Sequence, residues 1–414
     1  MEARGHTTAW AAIIPGVFLA GLALVLATTV FGEIALAAGT LHLRVTYKTL
    51  ARLVPLAWLA LLALPRARAG LPYRPASADL PLALFAGVAA LSVLCGGGHW
   101  GDVRTLAAAI GIGVLARSLF GDPARQRLLL HYLGWTVVLI VARERATYAD
   151  LVRAHELARY GLVTANPNVL GFLFAMVTPL FLAETIAARG PRRIAAAGYL
   201  LASLGGTLVT FSRTAVFGLA LGTLIVALCC ERRRQALLAS GLLLAAILAA
   251  QRPDLWTHTR RAGDIDRLRI MHTSLTLAVE RPVLGIGFGI NNLEERFPAR
   301  YEELYGTRLF RFHSANVIVD LLVGTGLVGT GLALWWAGRV GAGTWRRVRA
   351  APSGAVRVRA AGNLAALAAI AAMSLAEPPL SHGKLLPVLF LVLAYVELPV
   401  RDEPDRDAIR GAGS

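Results

Sequence analysis

The sequence predicts an all-α, polytopic membrane protein with about 12 transmembrane helices and one large loop between the ninth and tenth spans. Of its 414 residues, 56% are hydrophobic and 16% are charged, whereas soluble domains average about 45–50% apolar and about 25% charged residues. The mean hydropathy is +0.59, and the apolar residues come in blocks near the roughly 20 residues that a transmembrane helix needs. This composition excludes disordered, collagen-like, coiled-coil and disulfide-built secreted proteins.

Twelve apolar blocks define the spans, and they divide the chain into four parts. The first block is longer than a signal-peptide core and lacks a convincing cleavage site, which favours a membrane anchor. Segment 29–43 is apolar but too short to span, so it is either re-entrant or an extension of the first helix. The parts are a helical region with about nine spans (1–250), a loop (251–313), a region with about three spans (314–399) and a polar tail (400–414). The spans are 8–28, 48–65, 80–96, 103–120, 125–143, 168–188, 193–211, 213–230, 235–250, 314–338, 358–376 and 384–399.

The net charge of +17 indicates membrane topology rather than nucleic-acid binding. The positive charge is nearly all arginine, and it is spread through the loops between apolar blocks instead of forming one basic face. With the N-terminus inside, the inner segments hold 21 arginines and lysines and the outer segments, the long loop apart, hold 10. The positive-inside rule therefore predicts that both termini are cytoplasmic.

The three cysteines offer neither a zinc site nor a disulfide framework, because they lie in apolar blocks without CxxC or Cys/His spacing. They are Cys95, Cys229 and Cys230. No metal or other cofactor is expected.

The long loop, 251–313, contains two helix-like segments, 267–280 and 292–305, on either side of the glycine-rich run Gly285-Ile-Gly-Phe-Gly289. No strand precedes this run, so it does not fit a dinucleotide-binding loop. A tight turn that needs glycine at positive φ is the favoured interpretation. Most of the loop's ten arginines and eight acids are expected to be solvated or paired with one another.

Arg213 lies between two apolar blocks with almost no loop between them. An arginine at that depth is costly unless it reaches the headgroup layer or finds a partner. Two interpretations remain open: a helix-end arginine at the headgroup layer, or a guanidinium that binds a lipid phosphate bidentately.

A polar face opens the tenth span. His313, Asn316 and Asp320 are spaced i, i+3, i+7, which predicts one face of a helix, and acids within the bilayer are rare and usually functional. The glycines that follow indicate close helix packing: Gly324, Gly326 and Gly329.

Taken together, these motifs resemble the O-antigen ligase and O-antigen polymerase superfamily. The resemblance rests on their order and spacing, and it extends over most of the chain in topology. The motifs are Asn166-Pro-Asn168, Ser212-Arg213, Arg267, Pro282-Val-Leu-Gly-Ile-Gly-Phe-Gly289, and His313-x-x-Asn316 running into Thr325-Gly-Leu-Val-Gly329.

The resemblance implies a metal-independent, inverting glycosyltransferase on the periplasmic face of the bacterial inner membrane. Such a ligase transfers polysaccharide from undecaprenyl pyrophosphate to a sugar hydroxyl of lipid A–core. It implies that Arg213 and Arg267 bind the donor pyrophosphate and that His313 is catalytic, with Asn316 and Asp320 in support. Family members often carry a second histidine two residues after the first. Here that residue is Ala315, which makes a two-histidine mechanism unfavourable and increases the weight on His313.

Three alternatives remain. An O-antigen polymerase would use the same donor with a lipid-linked glycan as acceptor, and a protein O-oligosaccharyltransferase would use a protein. A transporter or flippase would use Asp320, Glu33 and His131 as an ion path. The sequence lacks the two related halves with interrupted helices that a flippase would show.

Overall fold

A computed structural model describes residues 34–38, 41–45, 76–96, 98–153, 167–210, 212–230, 241, 260–309, 316–352, 354–383 and 385–400. Apart from residue 241, the predicted spans 8–28, 48–65 and 235–250 lie outside the described residues. So do Glu33 and His313.

The described chain is built mainly from α-helices. Two short strands, β1 (Ile34–Ala38) and β2 (Leu41–Val45), form an antiparallel hairpin in which Ile34 pairs with Val45. The hairpin occupies most of the apolar segment 29–43, so residues 34–38 do not extend a first helix. The helices are α1 (Asp79–Gly96), α2 (Gly101–Leu119), α3 (Pro123–Arg153), α4 (Pro167–Ala187), α5 (Gly190–Thr210), α6 (Arg213–Cys229), α7 (Arg260–Glu280), α8 (Ile290–Tyr305), α9 (Val317–Ala350), α10 (Ala355–Ser374) and α11 (Leu386–Glu397), with a 3₁₀ turn at Pro379–Ser381.

Nine predicted spans coincide with helices, namely α1 to α6 and α9 to α11. Two of these helices run on well past the predicted ends, α3 to Arg153 and α9 to Ala350. Within the described residues, α1, α4, α5, α9 and α10 are long and apolar enough to cross a membrane, while α6 and α11 are apolar but shorter. The chain is thus a multi-pass membrane protein, and the total of 12 spans stays a prediction.

Helix α4 forms the centre of the described bundle, and 83% of its most apolar window is buried against other helices. It packs against α5, α6 and α10, while α11 packs on α2 and α9 packs on α1. Small residues allow these close approaches. A Cβ at Gly171 would lie 2.9 Å from Ala215 Cβ, and one at Gly206 would lie 2.6 Å from the ring of Phe174.

One end of the bundle, termed here the arginine-rich end, is held by ion pairs between helix termini. Arg117, at the end of α2, binds both Asp79 at the start of α1 and Glu397 at the end of α11. Arg359 Nε lies 2.8 Å from Glu184 Oε2 and joins the start of α10 to the end of α4. Each of these arginines has a carboxylate partner, as buried charges require.

The opposite end, termed the loop end, carries the turn between α1 and α2, the segment between α7 and α8, the start of α9, and the turn between α10 and α11. The helices α7 and α8 confirm the two helical segments that the sequence predicts in the long loop. They pack against each other, and α7 also packs on α9. The positions proposed for chemistry that the structure describes belong to this end.

Candidate functional site

A break in helix α9 organises the loop end. Gly326 has φ 65° and ψ −166°, which interrupts the helix one third of the way along its length. A helix break in an apolar environment leaves N–H and C=O groups that need new partners. The glycine-rich run of the long loop supplies them.

The segment before α8 lies alongside the break and pairs with it through its backbone. Carbonyl oxygens before the break accept hydrogen bonds from this segment, and N–H groups after the break donate to it. The four bonds are Ile286 N to Val323 O (2.8 Å), Gly287 N to Gly324 O (3.2 Å), Leu327 N to Pro282 O (2.8 Å) and Val328 N to Val283 O (3.3 Å).

Two glycines make this pairing sterically possible. A Cβ at Gly326 would lie 2.3 Å from the carbonyl of Val283, and one at Gly285 would lie 2.5 Å from Val323 O. Gly285 has φ 71°, in the region that favours glycine. The predicted tight turn is confirmed. The prediction for Gly326 was incomplete, because this residue breaks the helix as well as allowing close packing.

The same segment is fixed to the turn between α1 and α2. The N–H of Phe288 donates to Ser92 Oγ at 3.0 Å. The carboxylate of Asp102 accepts from the N–H of Asn291 at 3.1 Å and from its side-chain amide at 2.8 Å. A carboxylate at the first turn of a helix satisfies otherwise unpaired N–H groups and interacts favourably with the helix dipole. Asp102 therefore holds the start of α8.

Several loop arginines have structural partners. Arg281 and Arg296 donate to the carbonyl oxygens of Cys95 (3.0 Å) and Gly96 (2.9 Å), at the C-terminal end of α1. Cations at that end of a helix satisfy unpaired carbonyls and interact favourably with the helix dipole. Arg300 donates to Glu303 at 2.6 Å, and this hydrogen bond raises the pKa of the guanidinium. The expected pairing within the loop is confirmed for Arg300, whereas Arg281 and Arg296 bind α1 instead.

Arg213 is the first residue of α6, and its side chain is exposed. Ser212 is the N-cap, because its hydroxyl accepts a hydrogen bond from the N–H of Ala215 at 3.4 Å. The guanidinium thus stands at a helix N-terminus, where N–H groups and the dipole also favour an anion. Arg267 is exposed as well, on α7. Both arginines are therefore exposed on helices, and their convergence on one ligand stays a prediction.

The predicted polar helical face of the tenth span needs correction. Helix α9 begins at Val317, so Asn316 is its N-cap rather than part of a helical face. Its side-chain oxygen accepts a hydrogen bond from the N–H of Ile318 at 2.8 Å, which is a preferred use of asparagine. Asp320 lies in the first turn of α9. Its carboxylate accepts a hydrogen bond from the hydroxyl of Ser381.

The turn between α10 and α11 contributes residues that the sequence analysis did not single out. Ser381 contacts Asp320, and the neighbouring His382 has its Nε2 3.5 Å from Glu377 Oε1. The side chains of this pair are only 11% and 7% exposed. In the sequence, the signal for this pair was an acid and a histidine on either side of two prolines.

His313 lies outside the described residues. It precedes Asn316, the N-cap of α9, by three positions in the sequence. His131, by contrast, contacts Tyr199 between α3 and α5, with Nδ1 3.1 Å from the hydroxyl. Within the described part of the chain, no three His, Cys, Asp or Glu side chains converge as a metal site would require.

These features define a multi-pass helical membrane protein in which a loop segment pairs through its backbone with a break in a membrane helix. Residues 198–334 match the family model described as O-antigen ligase, about a third of the chain. The match contains Arg213, Arg267, the glycine-rich run, His313 and the break at Gly326. It supports an O-antigen ligase-type protein, in agreement with the resemblance of the sequence motifs. No curated protein matches the chain.

Proposed function

We propose that the protein is a lipopolysaccharide O-antigen ligase of the bacterial inner membrane. It transfers polysaccharide from undecaprenyl pyrophosphate to a sugar hydroxyl of lipid A–core, on the periplasmic face and with both termini in the cytoplasm. The observation that carries the proposal is the family match over residues 198–334, because this segment contains all three residues expected to act on the donor and acceptor.

The donor site is assigned to Arg213 and Arg267. Both side chains are exposed, so a lipid-linked pyrophosphate can reach them without disrupting the core. The N-terminus of α6 adds its N–H groups to the guanidinium of Arg213. Two arginines can stabilise the charge that builds on the leaving pyrophosphate without a metal ion.

The acceptor is activated by His313 in this proposal. The acceptor oxygen attacks the anomeric carbon from the face opposite the pyrophosphate, and the anomeric configuration is inverted. The anomeric C–O bond breaks with its electron pair passing to a pyrophosphate oxygen, while the hydroxyl proton passes to neutral His313. A positioned base contributes about 10²–10⁴ in rate. Asn316 supports this region by capping α9.

Asp320 has a positioning role in this mechanism. It is held by Ser381 in the first turn of α9, so it links the segment after His313 to the turn between α10 and α11. A carboxylate there fixes the first turn of α9 against this turn.

Complementation of a strain that lacks its ligase tests the proposal. We expect long glycan on lipid A–core, and an unchanged pool of core without glycan would contradict the ligase assignment. Elongation of lipid-linked glycan in a polymerase-deficient strain would indicate the polymerase instead. Glycan on periplasmic protein would indicate an oligosaccharyltransferase.

A further inference from the structure

The arginine-rich end contains a cavity that the proposed transfer does not use. It measures about 470 Å³ and lies between the last turns of α9 and the ends of α2 and α11. Four arginines line it: Arg117, Arg339, Arg346 and Arg347. The acid among its lining residues is Glu397, and this carboxylate already binds Arg117.

Within the described part of the chain, the positive charge of this cavity is therefore uncompensated on the side formed by α9. Among the residues that the structure describes, no carboxylate pairs with Arg339 or Arg346, and both are exposed. Arg347 is anchored differently. It donates to the carbonyl oxygens of Glu397 and Val396, each at 3.0 Å, so its charge is fixed without being neutralised.

An apolar groove leads away from the same region along the membrane-spanning part of the bundle. It measures about 460 Å³ and is lined almost entirely by aliphatic side chains of α9, α10 and α11. Val340 lines both the arginine cavity and this groove. The far end of the groove reaches Val317 and Leu380, next to Asp320 and Ser381 at the loop end.

The two ends of the groove differ in charge, and this difference selects the orientation of an amphipathic occupant. A phosphate at the loop end would meet the carboxylate of Asp320, whereas one at the other end would meet arginines. Trp345, which precedes Arg346, is 51% exposed. Exposed tryptophans of membrane proteins concentrate at the headgroup layer.

We propose that this cavity binds the phosphate of an anionic glycerophospholipid, with one acyl chain in the apolar groove. The site is independent of the glycan donor and acceptor. Arg339 and Arg346 supply the charge, Arg347 supplies a fixed donor, and the small residues Gly121 and Gly343 leave room for the headgroup. The bound lipid belongs to the leaflet at the arginine-rich end, opposite the proposed transfer site.

Lipid titration of the purified full-length protein tests this site. Phosphatidylglycerol and phosphatidylcholine are added separately to the detergent-solubilised protein, and bound lipid is counted by native mass spectrometry. Inorganic phosphate is then added to the sample that holds phosphatidylglycerol. We expect selective retention of phosphatidylglycerol. Equal retention of phosphatidylcholine would overturn the anionic site, and displacement of the lipid by millimolar inorganic phosphate would assign the cavity to a soluble anion.

A matched pair of double variants separates the cavity from the general surface charge. Arg339→Gln with Arg346→Gln removes two charges inside the cavity. Arg349→Gln with Arg357→Gln removes two exposed charges at the same end that do not line it. Apparent affinity for phosphatidylglycerol should fall on the order of tenfold or more in the first variant only. Equal losses in both would mean that diffuse charge, not this cavity, attracts the lipid.

Discussion

Ile286 donates its backbone N–H to the carbonyl oxygen of Val323 at 2.8 Å, across 37 positions of sequence. This hydrogen bond makes the loop before α8 part of the α9 structure. It satisfies a carbonyl that the break at Gly326 would otherwise leave without an intrahelical partner. The loop and the membrane helix are therefore expected to be stable or unstable together.

Gly326→Ala should destabilise the protein by at least about 2 kcal/mol, because a Cβ at this φ is strained and meets the Val283 carbonyl. Thermal unfolding in detergent measures the change. Gly331→Ala is the matched control in the same helix, since a Cβ there meets nothing within 4 Å. It should be neutral or stabilising by up to about 1 kcal/mol. Similar melting temperatures for the two variants would contradict the inserted-loop geometry.

Arg117→Leu should cost about 3–5 kcal/mol, because it leaves the carboxylates of Asp79 and Glu397 without the cation that they share. The yield of folded protein and its melting temperature report the loss. Arg349→Leu, an exposed arginine at the same end, serves as the control and should fall within about 0.5 kcal/mol of wild type. A tolerated Arg117→Leu would show that the three-way ion pair does not hold these helix ends together.

Reporter fusions should place the two ends of the bundle in different compartments. A fusion after Pro253 should report periplasm and one after Ala350 cytoplasm, because 21 of the arginines and lysines outside the long loop lie in the inner segments against 10 in the outer ones. The opposite pattern would place Arg213, Arg267 and His313 in the wrong compartment for a periplasmic transfer.

Hydropathy was sufficient to predict much of this fold. Nine spans and both loop helices were predictable because apolar blocks and helical periodicity are local properties. The break at Gly326 was not predictable, because its partners lie about 40 residues away and the bonds are made by backbone groups that carry no side-chain signal. The hairpin of β1 and β2 was missed because its segment is as apolar as a helix of the same length.

The candidate site was likewise predictable only where the signal is local in sequence. Arg213 was found because an arginine between apolar blocks is costly. The start of α9 was misplaced because i, i+3, i+7 spacing also fits a residue that caps the helix, and Asn316 is such a cap. Ser381 could not be assigned, since its contact with Asp320 joins two helices that are not adjacent in sequence.

Arg213→Lys and Arg267→Lys should each impair transfer strongly, because an ammonium does not replace the bidentate fork of a guanidinium on a pyrophosphate. Donor binding and transfer are measured on purified protein with a lipid-linked oligosaccharide. Arg300→Lys is the control, since this guanidinium is occupied by Glu303, and it should be mild.

The same assay tests metal independence. Transfer should survive EDTA if the arginines alone stabilise the leaving pyrophosphate. Loss of activity that magnesium restores would refute that account, and equal tolerance of lysine at all three positions would reduce Arg213 to a charge that sets topology.

His313→Ala should leave the protein folded and membrane-inserted but reduce transfer by a factor on the order of 10²–10⁴, if the imidazole acts as a general base. His272→Ala is the matched control: this histidine is exposed in the same loop, with Nδ1 2.8 Å from the Tyr305 hydroxyl, and its loss should be nearly neutral. Because pyrophosphate binding and acceptor activation are assigned to different residues, donor binding should persist in His313→Ala and fail in Arg213→Ala. Single-turnover transfer and donor binding, measured on the same preparations, separate the two steps. A wild-type transfer rate in purified His313→Ala would remove the catalytic assignment and leave the residues before α9 with a structural role in starting the helix that Asn316 caps.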